Sequence, residues 1–194
     1  MTLAVVLITA YLLGSVPTSY IVVHRFTGRD IRTMGSGNPG TLNVLDSVGY
    51  RAATLAGAGD LAKGMGAVGL AYAAGLDDLG VVLTAFAAVI GHDYSVFLRF
   101  DGGHGTAAVI GSLLMLMPLQ AGVAGSTGIA VALLIRNRRI GGILSIALLP
   151  ALAVTTEVPP IRLYGALAML TFILVQIVRD EGVSLSAVRT RDRR

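Results

Sequence analysis

Cysteine is absent from the 194 residues, so disulfides and thiolate metal sites are excluded and the redox compartment leaves no mark. Charge is scarce too. Asp, Glu, Lys and Arg make up 13% of the chain, against roughly 25% in an ordinary soluble domain. Hydrophobic residues reach 54%, a balance that places the chain in a membrane. The net charge of +4 does not mark a nucleic-acid binder, because the arginines fall in short clusters between apolar runs and gather on no single face. Membrane orientation explains that pattern better. The first apolar run begins at Thr2 without a basic leader or a convincing small-residue cleavage site, and it reads as an anchor that is retained.

A spanning helix needs roughly 20 apolar residues. On that ruler the runs are 2–23, 49–75, 79–98, 106–117, 119–135, 142–158 and 161–178. The expected fold is an all-α integral membrane protein, one compact bundle of about seven transmembrane helices with glycine-rich re-entrant or cytoplasmic loops, and residues 1–194 form a single polytopic domain. Run 106–117 is short for an untilted span before Pro118, and run 49–75 carries Asp60 and Lys63. Basic residues follow every odd-numbered run: Arg25, Arg29 and Arg32; Arg99; Arg136, Arg138 and Arg139; then Arg179, Arg189, Arg191, Arg193 and Arg194. The opposite loops hold Asp77 and Asp78, no charge at Pro118, and Glu157 with Arg162. The positive-inside rule then sets the N-terminus outside and the C-terminus in the cytoplasm.

Glycine is plentiful, with 25 residues, and those inside the apolar runs, such as Gly57, Gly59, Gly64, Gly66 and Gly69, suit close helix packing. Two polar stretches need another account: "DIRTMGSGNPGTLN" (Asp30 to Asn43) and "GHDYSVFLRFDGGHGTAA" (Gly91 to Ala108). Both fall on the expected cytoplasmic side. Successive N–H groups in glycine turns form anion-binding nests, and a helix N-terminus adds free donors. In "GSGN" the backbone of Gly35 and Gly37 can approach an anion. Ser36 and Asn38 add side-chain donors there, and Arg32 adds a charged fork suited to phosphate. "GGHG", formed by Gly102, Gly103, His104 and Gly105, leads directly into an apolar run. His104 sits within the turn, where a histidine can carry charge near neutral pH. Asp60 and Lys63, spaced i, i+3, share a helical face. Ionisable groups within a span usually face the bundle interior or a polar cavity. Neutralising each other and lining a shared cytoplasmic cleft are both open to them. His92 can be a packing residue or a catalyst.

The order "LLGSVPTSYIV", "DIRTMGSGNPGTLN", "DLAKG", "GHDYSVFLRFDGGHGTAA" resembles the bacterial acyl-phosphate glycerol-3-phosphate acyltransferases, the PlsY family. The resemblance covers about the first 110 residues. It implies a seven-helix bundle in the bacterial cytoplasmic membrane. It also implies acyl transfer from acyl phosphate to the 1-hydroxyl of glycerol 3-phosphate, giving lysophosphatidic acid and phosphate. By that resemblance Arg32, Gly35, Ser36, Gly37, Asn38 and Asn43 hold phosphate and orient substrate, with Asp30 and Gly40 in the same motif. Asp60, Lys63 and Gly64 form the "DxxKG" element, Lys63 balancing anionic charge. His92, Gly102, Gly103, His104 and Gly105 complete the second phosphate site, with His104 where the family motif reads GGKG. Ser36, Asn38, Lys63, His92 and His104 are the expected catalytic groups. The chemistry asks for charge neutralisation, orientation and oxyanion stabilisation, with no metal or cofactor demanded. Acyl phosphate, glycerol 3-phosphate and membrane lipids are the expected partners, and nucleic acid is not. Two rivals stand beside this reading: a non-catalytic subunit that binds lipid or anion, and a transporter with a re-entrant anion site.

Overall fold

A computed structural model describes residues 2–191, with side-chain surroundings for 2–179. The tail arginines Arg189, Arg191, Arg193 and Arg194 therefore lie outside the described side chains. The elements are α1 (Leu3–Ser15), α2 (Thr18–Thr27), α3 (Thr41–Ser47), α4 (Tyr50–Ala73), α5 (Asp78–Asp93), α6 (Thr106–Leu116), α7 (Pro118–Leu134), α8 (Arg138–Thr155) and α9 (Pro160–Arg191). Short 3-10 turns at Ile31–Thr33 and Val96–Leu98 interrupt the two polar stretches. No strand occurs among the described residues.

A helix occupies each expected run, with one break and some shortfalls. The first run is two helices, because Pro17 lacks an N–H and forces Val16 out of the helical region, to φ −56°, ψ 117°. The break frees carbonyls that distant side chains then take up: Lys63 Nζ donates to Val16 O at 3.0 Å, and Ser95 Oγ to Ser15 O at 2.5 Å. Among the described residues, only Leu3–Thr27, Asp78–Leu98, Arg138–Thr155 and Pro160–Arg179 are both long and apolar enough to cross a membrane. The α4 helix has the length, 24 residues, but carries Arg51, Asp60 and Lys63 among its alanines and glycines. The α6 helix has 11 residues, about 16 Å against a hydrocarbon core of about 30 Å. Pro118 ends it by starting α7 at the position where a missing N–H costs least.

Three helix pairs form the tightest contacts: α1 with α5, α4 with α6, and α7 with α8. Each is closed by glycine from both sides. A Cβ on Gly14 would lie 2.0 Å from Ala88 O and one on Gly91 2.1 Å from Tyr11 O. Gly64 would meet Ala108 O at 2.0 Å and Gly111 would meet Leu61 O at 2.1 Å. Gly128 and Gly141 would strike each other's carbonyls at 2.5 and 2.4 Å. With lipid as solvent there is little hydrophobic drive between helices, so backbone approach through small residues supplies the dispersion contact instead. Large apolar side chains such as Ile8, Leu134, Ile143 and Val154 point outward, as they do where the surroundings are lipid. Val68, Val81, Val89, Leu116 and Met169 fill the interior. The α5 helix, packed on α1, α4, α6 and α9, is the central element, and its last turn delivers His92 to the polar end.

Candidate functional site

The first loop is organised around one buried amide. Asn43, in the first turn of α3, donates from Nδ2 to Met34 O at 2.9 Å and Asn38 O at 2.8 Å. Its Oδ1 accepts from Ser36 N at 3.1 Å and Ser47 Oγ at 3.0 Å. Gly35, at φ +52°, passes so close that a Cβ would lie 2.1 Å from that Oδ1, and no other residue fits there. Asn43 thus shapes the loop that presents Ser36, Gly37 and Asn38, and the Ser36 N–H is already committed to it.

The second loop leaves α5 through Tyr94 and turns on Arg99 and Phe100, two consecutive non-glycine residues in the left-handed region at φ +57° and +64°. Such conformations cost energy and persist only where surroundings enforce them. Here Phe100 N donates to Ser95 O at 2.7 Å, and Gly102 N to Asp93 O at 3.0 Å. The Gly102 N–H is therefore spent inside the turn. Gly102 and Gly103 answer a packing demand, since a Cβ would fall 2.0 Å from His92 O and 2.7 Å from His92 Nε2 respectively. Gly105 takes φ +65° and releases the chain into α6.

The two loops meet. Asn38 Nδ2 is hydrogen-bonded to the His104 ring. Arg32 Nη1 reaches across to Leu98 O at 3.4 Å and Asp101 Oδ2 at 3.5 Å. The Arg32 guanidinium also grips Asp30, at 2.7 Å from Nη2 to Oδ2. Its side-chain hydrogen bonds hold the Asp30 carboxyl below the usual carboxylate range, and Asp30 in turn raises Arg32. A cavity of ≈ 860 Å³ opens where the loops converge, of the size that holds small-molecule ligands. Ser36, Gly37, Asn38, Asn43, His104 and Gly105 form its polar wall. Thr106 and Ala107, in the first turn of α6, add N–H groups with no intrahelical acceptor. Leu42, Ile110 and Ile177 form an apolar wall beside them.

Behind the polar wall lies a buried cluster. Asp60 Oδ1 receives Lys63 Nζ at 3.0 Å and the Thr18 hydroxyl, and His92 Nδ1 stands 3.5 Å away. Asp60 and His92 reach the cavity, whereas Lys63 reaches only a cavity of ≈ 10 Å³ behind them. The expected residues are therefore brought to one end of the bundle in three ranks: Ser36, Gly37, Asn38, His104 and Gly105 face the cavity, Asp60 and His92 form its floor, and Lys63, Gly35 and Gly103 stand behind. Arg32 sits at the side, tied to two carboxylates. Thr18, Thr106 and the apolar wall escape sequence reasoning; for Thr18 the signal is a proline and hydroxyls breaking an apolar run in "GSVPTS".

Comparison with known proteins is consistent across the chain. The glycerol-3-phosphate acyltransferase family profile matches residues 4–182. The glycerol-3-phosphate acyltransferase of Dechloromonas aromatica (strain RCB) is 39% identical over 154 residues, 79% of this chain and 78% of that one. That of Thermus thermophilus is 46% identical over 137 residues, 70% and 68%. Glycerol-3-phosphate acyltransferase 1 of Dehalococcoides mccartyi is 46% identical over 114 residues, 58% of this chain and 55% of that relative. The crystal structure of PlsY (YgiH), an integral membrane glycerol 3-phosphate acyltransferase, in its glycerol 3-phosphate form superposes with a TM-score of 0.81 at 26% identity. The superposition covers 95% of this chain and 92% of that one. Its lysophosphatidic acid form gives 0.80 at 25%. Profile and fold agree over nearly the whole length, sequence identity agrees over as much as 79% of it, and this chain belongs to the glycerol-3-phosphate acyltransferase family.

Proposed function

We propose that the chain, acting as one bundle, moves an acyl group from acyl phosphate to the 1-hydroxyl of glycerol 3-phosphate, releasing lysophosphatidic acid and phosphate. The observation that carries this reading is the convergence of two glycine loops on one cavity with a polar and an apolar wall. Two phosphates and an acyl chain need those two surfaces. Related structures described as glycerol 3-phosphate and lysophosphatidic acid forms supply the acceptor and product classes. The first turn of α6 and His104 receive one phosphate, where N–H donors and the helix dipole favour an anion. Ser36 and Asn38, on the facing loop, orient the other substrate. Arg32 reaches a phosphate by exchanging Asp101 for it, and the bidentate fork suits that exchange. Donors aimed at the acyl oxygen stabilise the tetrahedral oxyanion, and phosphate departs as a good leaving group.

Purified protein given palmitoyl phosphate and glycerol 3-phosphate should form lysophosphatidic acid, and phosphate release should depend on the acceptor. Turnover with acyl-CoA and none with acyl phosphate would replace the donor assignment. The arginine asymmetry supports placing the cavity on the cytoplasmic face of the bacterial membrane, with the N-terminus outside. Single cysteines at Ser36 and at Asp101, which is exposed on the second loop, should then be labelled from the cytoplasm and one at Asp78 from outside.

A further inference from the structure

The donor's hydrocarbon chain needs the apolar wall, which three elements assemble: Leu42 from α3, Ile110 from α6 and Ile177 from α9. The first two are set by close packing on α4. A Cβ on Gly57 would lie 3.1 Å from the Thr41 methyl of α3, and Gly64 and Gly111 close α6 against the same helix. Ile177 is placed differently. Its helix runs beside α5, with Gly165 against Val82 and the Phe172 ring 5.5 Å from that of Phe86. The α5 helix ends at Asp93, while α9 continues past the cavity. At that junction Gln176 Nε2 donates to the Tyr94 hydroxyl at 2.8 Å. Tyr94 is anchored in turn, because its carbonyl accepts from the Tyr11 hydroxyl of α1 at 2.7 Å. Gln176 interrupts the apolar run "FILVQIV", where an unpartnered amide would be costly.

We infer that the Gln176–Tyr94 bond positions Ile177, and that Ile177 selects acyl donors by the shape of the chain next to the reacting carbonyl; this rests on the acyl-transfer reading above. Successive helical residues point about 100° apart, so with Gln176 turned to the end of α5, Ile177 turns to the cavity. Ile110 lies one turn beyond Thr106, about 6 Å along α6. Apolar surface therefore begins one turn from the N–H groups that receive phosphate in the proposed function. An acyl carbonyl is bonded to that phosphate, so the wall meets the first carbons of the chain and not its far end. A straight chain passes along it. A methyl branch on the carbon beside the carbonyl competes with the Ile177 side chain for space. Gln176 and Tyr94 do not line the cavity; they act through Ile177, as positioning residues.

The test compares palmitoyl phosphate with 2-methylpalmitoyl phosphate at saturating glycerol 3-phosphate. Wild type should favour the straight donor in kcat/KM by about 10-fold or more, the range that one methylene commands in a fitted apolar pocket. Ile177→Ala should reduce that preference about 10-fold. Gln176→Leu and Tyr94→Phe should each reduce it about 3-fold, the usual weight of a hydrogen bond between membrane helices. Together they should reduce it no further, because both cut the same bond. Tyr94→Phe leaves the Tyr11 bond intact, since that bond is made to the carbonyl. KM for glycerol 3-phosphate should stay within about 2-fold in every variant. Equal losses with both donors would mark a merely structural role and overturn the assignment, and additive effects of Gln176→Leu and Tyr94→Phe would overturn the pairing. If either single variant fails to fold, the double variant decides, because replacing both partners by apolar groups of similar shape costs little; Ile177→Val should also narrow the preference. A wild type active with palmitoyl phosphate but indifferent to the branch would overturn this inference alone. One inactive with both donors would overturn the acyl-transfer reading, and this inference with it.

Discussion

The two ends of α5 carry the same kind of chemistry in opposite settings. At its start, Asp78 Oδ1 receives Arg162 Nη2 at 2.5 Å and Nε at 2.8 Å, and Arg162 also donates to Leu116 O at 3.1 Å and lies over Tyr72. That pair is partly exposed, with side-chain values of 34% and 26%. At the other end, about 21 Å along the helix, His92 meets the Asp60–Lys63 pair, whose side chains are 2% and 5% exposed. The first arrangement staples α5, α6 and α9 where water can share the charge. The second keeps an ion pair in the interior, a costly choice that apolar residues would improve on if stability were the sole requirement. The polar network remains where a cavity opens beside it.

Breaking the buried end should have the largest effect. Lys63→Met leaves Asp60 without its cation and should destabilise the protein by about 3–5 kcal/mol, measured by thermal unfolding in detergent. Replacing Asp60 by leucine and Lys63 by methionine together should recover most of that stability while acyl transfer stays lost, because the apolar pair packs but removes the carboxylate from the cavity floor. Next comes the cavity wall: His104→Ala should reduce acyl transfer about 10–100-fold, about 1.4–2.7 kcal/mol of transition-state stabilisation, and His104→Lys should retain more activity than His104→Ala. At the exposed end, Arg162→Met should cost about 1 kcal/mol or less and leave turnover unchanged. A large activity loss there would erase the contrast between the two ends.

The smallest effect is at Asp30. Its carboxyl, hydrogen-bonded by Arg32, ionises below the ordinary value. The stabilisation is therefore present above the unfolded-state value of about 3.9 and is lost as pH falls through the lower folded one. Carboxyl NMR should show Asp30 titrating below pH 3.8 in wild type and higher in Arg32→Ala.

Helix positions were legible in the sequence because apolar runs of membrane length have few alternatives. The break at Val16–Pro17 was also written there, yet a count of apolar residues passes over it. Asp60 and Lys63 could be paired from their spacing, since one helical turn brings them together. His92 could not be joined to them, because only the packing of α5 on α4 sets that distance. Loop composition raised the expectation of an anion site but hid the loops' internal hydrogen bonds: Asn43 consumes the Ser36 N–H, and Asp93 O consumes that of Gly102. Backbone hydrogen bonds depend on turn geometry, which residue types alone leave open.

The apolar wall of the cavity has a consequence for how product departs. Leu42 and Ile110, which line the cavity, are 64% and 47% exposed. Apolar side chains exposed at the cavity would let a hydrocarbon tail remain among lipid chains while its head enters. Extracting such a tail into water would cost about 0.8 kcal/mol per methylene, near 12 kcal/mol for ~15 carbons. A cavity that opened on that side into the plane of the bilayer would spare that cost, and a new lipid would leave by two-dimensional diffusion.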